Sequence, residues 1–161
     1  MLSDQLNQIR VVQALEAFAG AVLDGKLDRN ELTLHIAPER IVEVCRFLKT
    51  GQQFVRLSGI TAVDWHPMEP RFEVVYHLHS MERNERLRLT CRLDGAQPGI
   101  DSVFSVWRAA DWYEREIFDL FGVTFRNHPN LIRILMPEDW VGHPLRKDFP
   151  IHGHKYSYKD G

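Results

Sequence analysis

Cysteine is scarce in this chain: Cys45 and Cys91 are the only two in 161 residues. Neither has a cysteine or histidine at ligand spacing, which excludes the CxxC-type pattern of an iron–sulfur cluster or structural zinc site. So far apart, they read as two buried free thiols in a reducing compartment, with a disulfide as the less favoured alternative. No stretch approaches the ~20 apolar residues of a membrane span. The N-terminus sets Asp4 and Glu16 against a lone Arg10, and without an apolar h-region it reads as neither a secretory signal nor an organelle presequence. GxGxxG, P-loop and GxSxG motifs are all missing, so nucleotide cradles and a serine elbow are not expected. Charge of one sign is missing too: a net charge of −2 gives no global basis for binding nucleic acid or anionic lipid. No repeat, low-complexity run or Gly/Ser/Pro-rich linker divides the chain. With 44% hydrophobic and 26% charged residues, it reads as one soluble cytosolic domain.

The patterns that are present describe an α+β fold. Leu2, Leu6, Ile9, Val12, Leu15, Phe18 and Val22 recur at three- and four-residue steps and predict an amphipathic helix, stopped by Asp24-Gly25. Leu32, Leu34 and Ile36 alternate as a short strand. Pro38 suits the first turn of a second helix, with Ile41, Cys45 and Leu48 on one face and Gly51 at its end. A strand from Phe54 to Trp65 carries a bulge signal at Ser58-Gly59. Phe72, Val74, Tyr76 and Leu78 alternate, as do Leu87, Leu89, Cys91 and Leu93. Met81–Glu85 reads as the turn between these two antiparallel strands. Arg86, Arg88, Thr90 and Arg92 would line the sheet's solvated side. Asp111 and Glu114 are spaced as a capping box opening a helix that Gly122 ends. Beyond it, prolines at 129, 137, 144 and 150 prevent long regular elements, and only a short strand at Leu131–Met136 is expected. The fold class is therefore a single α+β domain with a mostly antiparallel sheet packed by helices. Residues 1–125 form the core and 126–161 an extended, Pro-rich C-terminal arm.

The densest ionisable group is Glu114-Arg115-Glu116 with Asp119. Arg115 and Asp119 lie one helical turn apart and are expected to pair. Glu114 and Glu116 project roughly 200° apart around a helix, so they cannot converge on one small substrate as catalytic carboxylates do. They suit a structural junction better. His128, His143, His152 and His154 invite a metalloenzyme reading, but His-x-His supplies two ligands where a closed site wants four. Arg133, Arg146 and Lys147 form a local cationic group, offset by Glu138, Asp139 and Asp148. That suits a carboxylate-bearing protein partner, anchored by Trp140 and Phe149, better than nucleic acid. No catalytic, cofactor or metal residues are assigned.

One run is chemically arbitrary enough to identify a family. Glu114-Arg115-Glu116, Asp119-Leu120-Phe121-Gly122-Val123, Phe125, His128-Pro129, Leu131, Arg133-Ile134-Leu135 and Pro144-Leu145-Arg146-Lys147-Asp148-Phe149-Pro150 closely resemble the 30 kDa subunit family of respiratory complex I. Thr61-Ala62-Val63-Asp64 and Ala110-Asp111-Trp112-Tyr113 also look like that family. Ile132 stands where a basic residue or proline is usual there, and Asn127 where glycine is common.

The resemblance implies a non-catalytic subunit in the hydrophilic arm of the proton-pumping NADH–quinone oxidoreductase. The chain itself would hold no cofactor, with NADH, FMN, iron–sulfur clusters and quinone bound by partner subunits. Glu114, Arg115, Glu116, Asp119, Gly122, His128 and Pro129 would brace the junction of domain and arm. Arg133, Trp140, Pro144, Leu145, Arg146, Lys147, Asp148 and Phe149 would contact the large quinone-site subunit, and other hydrophilic-arm subunits would lie nearby. The location implied is peripheral, on the cytoplasmic face of a bacterial inner membrane. Because the chain ends soon after the motif, no fusion to the neighbouring quinone-site subunit is expected. A related energy-converting hydrogenase, formate-hydrogen lyase or ferredoxin-fed complex is the alternative setting.

Overall fold

A computed structural model of the chain describes residues 4–150. Two short helices, α1 (Asp4–Asn7) and α2 (Arg10–Leu15), open it, followed by β1 (Val22–Asp28), β2 (Glu31–Ile36) and α3 (Ile41–Gly51). The sheet continues with β3 (Arg56–Asp64), β4 (Phe72–Ser80) and β5 (Glu85–Leu93). Then come β6 (Gly99–Asp101), α4 (Ala110–Phe121) and β7 (Thr124–Arg126).

The five-stranded sheet runs β1-β2-β5-β4-β3, antiparallel throughout except for the parallel β2–β5 pair. Period-two alternation sets its faces. Phe72, Val74, Tyr76 and Leu78 of β4 are all buried, with Leu87, Leu89, Cys91 and Leu93 beside them. Cys45 and Leu48 of α3 and Ala110 and Ile117 of α4 belong to the same buried cluster as Tyr76, so both longer helices cover this face. Both thiols are buried and unpaired, and burial pushes both well up from their ordinary range.

Several elements differ from expectation. The first helical pattern breaks into α1 and α2, and Leu2 lies outside the described residues. Val22 belongs to β1, with Asp24-Gly25 inside that strand beside a register shift. Pro38 opens a short 3-10 turn that leads into α3; that helix does end at Gly51, with left-handed Gln53 two residues on. The bulge at Ser58-Gly59 is present, as a register shift between Leu57 and Gly59. No strand forms at Leu131–Met136 among the described residues. Instead, β6 and β7 pair in parallel as a separate two-stranded unit.

Candidate functional site

The chemistry gathers around α4, whose two ends are held by different means. At its N-terminal half the capping box does not form. The chain enters α4 through successive turn bonds from residues 103–110, so Ala109 already has helical dihedrals and makes no side-chain cap. Asp111 is then inside the helix and Glu114 turns into the core, fully buried beside Ile117. Its carboxyl accepts the Ser102 hydroxyl at 2.5 Å and the Val103 amide at 2.8 Å. Burial pushes Glu114 up to about 7, although both donors favour its charged form and Asp111 opposes it.

His128 closes the group, with its ring fully buried. Its Nδ1 accepts the Asn130 amide at 3.0 Å, so the proton sits on Nε2. That Nε2–H faces the Asp111 carbonyl at 3.3 Å and lies 3.8 Å from Glu114 Oε2.

At the C-terminal end, an α-helix leaves its last carbonyls without intrahelical donors. Here the Gly122 amide takes the Phe118 carbonyl at 2.9 Å, and the arm supplies donors for the rest. His143 Nδ1–H reaches the Asp119 carbonyl at 2.9 Å, the Leu145 amide reaches that of Leu120 at 3.0 Å, and Arg146 Nε reaches that of Phe121 at 2.6 Å. Arg133 and Arg146 also place positive charge at the negative end of the helix dipole. Gly122 sits at φ +74°, and a Cβ there would lie 2.5 Å from both Arg146 Nη2 and His143 Cδ2. Glycine is required on both counts.

The side chain of Asp119 organises the arm. Fully buried, its Oδ2 accepts the consecutive amides of Ile134, Leu135 and Met136 at 3.0, 2.7 and 2.9 Å, and its Oδ1 takes Arg133 Nη1 at 2.7 Å. Burial alone would raise its pKa, but these donors outweigh it and hold the carboxyl below its ordinary range. Consecutive amides of a strand point to opposite sides and cannot meet at one oxygen. That explains the absence of the expected strand.

A third tie lies farther along. Arg71 reaches Asp64 through two bonds of 2.8 Å and Asp148 through bonds of 2.9 and 2.6 Å. Asp64 also accepts the Lys147 amide at 2.9 Å. Hydrogen bonds from Arg71 hold both carboxyls below their ordinary range. The Arg71 and Arg146 guanidiniums lie 4.8 and 5.1 Å from the Phe72 ring centroid.

Residues 34–155 match the family described as "Respiratory-chain NADH dehydrogenase, 30 Kd subunit". The chain belongs to that family. An NADH-quinone oxidoreductase subunit of this class from Geobacter sulfurreducens is 49% identical over 91% of each chain, and its counterpart from Citrifermentans bemidjiense is 48% identical over 91% of each. Among solved structures, a trypsin-resistant fragment of Nqo5 aligns with a TM-score of 0.66 at 28% identity, covering 76% of this chain and all of that one. A chain in the membrane-bound sulfane sulfur reductase, an archaeal respiratory membrane complex, aligns with a TM-score of 0.71 at 28% identity, covering 88% and 84%.

Within this family fold the motif residues are placed as follows. Glu114, Asp119, Gly122 and His128 converge on α4 and its flanks, whereas Glu116 and Pro129 are exposed. Arg115 does not pair with Asp119. It stacks 5.3 Å from the Trp112 ring and donates to the carbonyls of Ile132 and Arg133, because Arg133 has taken the carboxylate. Arg133 also donates to the Trp140 and Gly142 carbonyls at 3.1 and 3.0 Å. Arg133, Arg146 and Asp148, expected to reach a partner, thus spend these contacts inside the chain. Trp140 and Phe149 stack at 6.5 Å. Pro144 is half-buried, while Lys147 and Leu145 are exposed. No group of three or more His, Cys, Asp or Glu able to hold a metal occurs among the described residues, and His152 and His154 lie outside them. Sequence reasoning missed Ser102 and Arg71, whose partners are 12 and 7 or 77 residues away.

Proposed function

We propose that this chain is a non-catalytic structural subunit of the hydrophilic arm of NADH–quinone oxidoreductase, with its C-terminal arm packing on the large quinone-site subunit. The supporting observation is the division of labour within the arm. Arg133, His143 and Arg146 turn inward to α4, while Ile132, Leu135, Val141 and Leu145 remain 49, 60, 66 and 52% exposed. Trp112 on α4 is 62% exposed, stacked against the Arg115 that binds this same segment. Large apolar side chains presented together on a hydrogen-bonded frame are what a companion polypeptide buries.

The ionisable motif residues fit this role. Asp119, Glu114 and His128 use their donors and acceptors to hold the chain's own backbone. NADH, FMN, iron–sulfur clusters and quinone would belong to partner subunits, which would carry electrons from NADH to quinone and move protons. This protein would sit on the cytoplasmic face of a bacterial inner membrane. The relatives at 48–49% identity, all named as one and the same component of NADH-quinone oxidoreductase, favour this setting over a hydrogenase-type complex.

Affinity purification of the tagged chain from solubilised membranes, with mass spectrometry, tests the reading. The quinone-site subunit should be recovered in near-equal amount, and Leu135→Asp with Leu145→Asp should deplete it. A purified complex lacking that polypeptide would overturn the assignment.

A further inference from the structure

The face of the sheet turned away from α3 and α4 carries a feature the arm does not explain. Register places Arg56 opposite His79 and His79 opposite Arg86, so these three form one cross-strand row. In the next row His77 stands opposite Arg88. Directly opposed side chains have Cβ atoms about 5 Å apart, and like charges there repel. The rows line an open trough of about 410 Å³. Its one carboxylate, Glu31, is already paired with Arg88 at 3.1 Å. Arg56 and Arg86 are exposed, and their side chains make no hydrogen bond or ion pair among the described residues. The Nε2 of His79 is buried without a partner. Burial and the nearby Arg88 lower the pKa of His77, so Arg88 rather than His77 carries the charge in that row at neutral pH. All this stands on a chain of net charge −2, so the face is no by-product of a basic protein.

We propose that this trough receives an extended acidic segment of a companion subunit, on a surface separate from the C-terminal arm. Arg56 and Arg86, the two guanidiniums without a partner, flank His79 in one row, two strand spacings or roughly 10 Å apart at the backbone. Carboxylates on alternate residues of an extended peptide stand roughly 7 Å apart, within reach of two such long side chains, each of which can grip one bidentately. A small phosphate ligand is a poorer fit. The trough is open, and the backbone amides beneath it are engaged in the β3–β4–β5 ladder rather than turned up as an anion cradle. The inference rests on the chain being part of a larger assembly, but not on which companion the arm touches.

The test uses the assembled complex. Arg56→Lys and Arg86→Lys each keep the positive charge and introduce a primary amine, which a carbodiimide couples only to a carboxylate in direct contact. Mass spectrometry should find amide cross-links from these amines to Asp or Glu of another polypeptide of the complex. Those links should fall several-fold as salt is raised before coupling. In parallel, the chain carrying Arg56→Glu with Arg86→Glu should melt like wild type, yet be recovered in the complex at lower yield. Coupling only to Glu31 or Glu85 of the same chain, or none in an intact complex, overturns the trough proposal and leaves the arm reading standing. Failure of the wild-type chain to co-purify with any companion overturns both.

Discussion

Glu114→Gln isolates the cost of a buried carboxyl. Glu114 is fully buried, and its pKa rises from an ordinary 4.5 to about 7 because burial outweighs the Ser102 and Val103 donors. The gap corresponds to about 3 kcal/mol of pH-dependent stability. Below pH 4.5 the group is protonated in both folded and unfolded chains, and its contribution is fully present. As pH rises toward 7 the unfolded chain releases its proton while the folded chain retains it, so stability falls. Above 7 the loss is complete and the curve flattens.

Glutamine has a similar shape, cannot ionise, and still offers an oxygen to the Val103 amide. Urea unfolding of both proteins between about pH 4 and pH 8 reads the difference directly. The variant should gain about 3 kcal/mol on wild type across that range. His77 and His143, whose pKa values burial lowers, titrate with the opposite sign in both proteins and cancel in the comparison. Parallel pH curves would refute the reasoning. They would mean that Ser102 and Val103 keep the carboxylate ionised in spite of burial.

Two further perturbations probe the other end of α4. Asp119→Ala removes the acceptor of three consecutive amides and the partner of Arg133. Breaking such a buried pair costs about 3–5 kcal/mol, so hydrogen exchange at Ile134, Leu135 and Met136 should accelerate roughly 100- to 4,000-fold, with the amides of β4 and β5 unchanged. Uniform acceleration would make Asp119 a support of the whole core instead. Gly122→Ala forces a left-handed residue and a clash with His143 and Arg146. A thermal melt should register a loss of about 2 kcal/mol or more, and an unchanged melting temperature would show that the arm yields there freely.

Legibility in the sequence followed how each element satisfies its backbone. The strands β4 and β5 were readable because each buries one face, and alternation is the direct consequence. Edge strand β1 was not. Leu23 and Leu27 are 62 and 47% exposed, which removes the alternation, while Val22 continues a helical spacing from α2. Of the site, Glu114, Asp119, Gly122 and His128 are legible as a junction, but their partners are not. Helical spacing exposes only local pairs, so it matches Asp119 to Arg115, its neighbour on the helix. The real partner, Arg133, is 14 residues on, in a segment whose geometry is set by a side-chain acceptor and so leaves no period. Arg71 illustrates the same limit: nothing in its surroundings in sequence signals that Asp148, 77 residues later, is its partner.

The arm's inward bonding also bears on how it binds. A segment with four prolines between 129 and 150 and no regular structure would ordinarily be ordered only by its partner, at a large cost in conformational entropy. Here three carbonyls of α4, the Asp119 carboxylate and the Arg71–Asp148 pair fix the backbone beforehand. In the proposed reading, exposed leucines and Trp112 would then meet a companion surface with little left to order, so more of the buried apolar area would be realised as affinity. The same bonds restrict which residue types can stand at these positions. Asp119 must be an acceptor small enough for three amides, Gly122 must lack a Cβ, and Arg133 must bridge the carboxylate and three carbonyls at once. A chain that only draped over its neighbour would need none of these, and its arm would have no use for donors aimed back at α4.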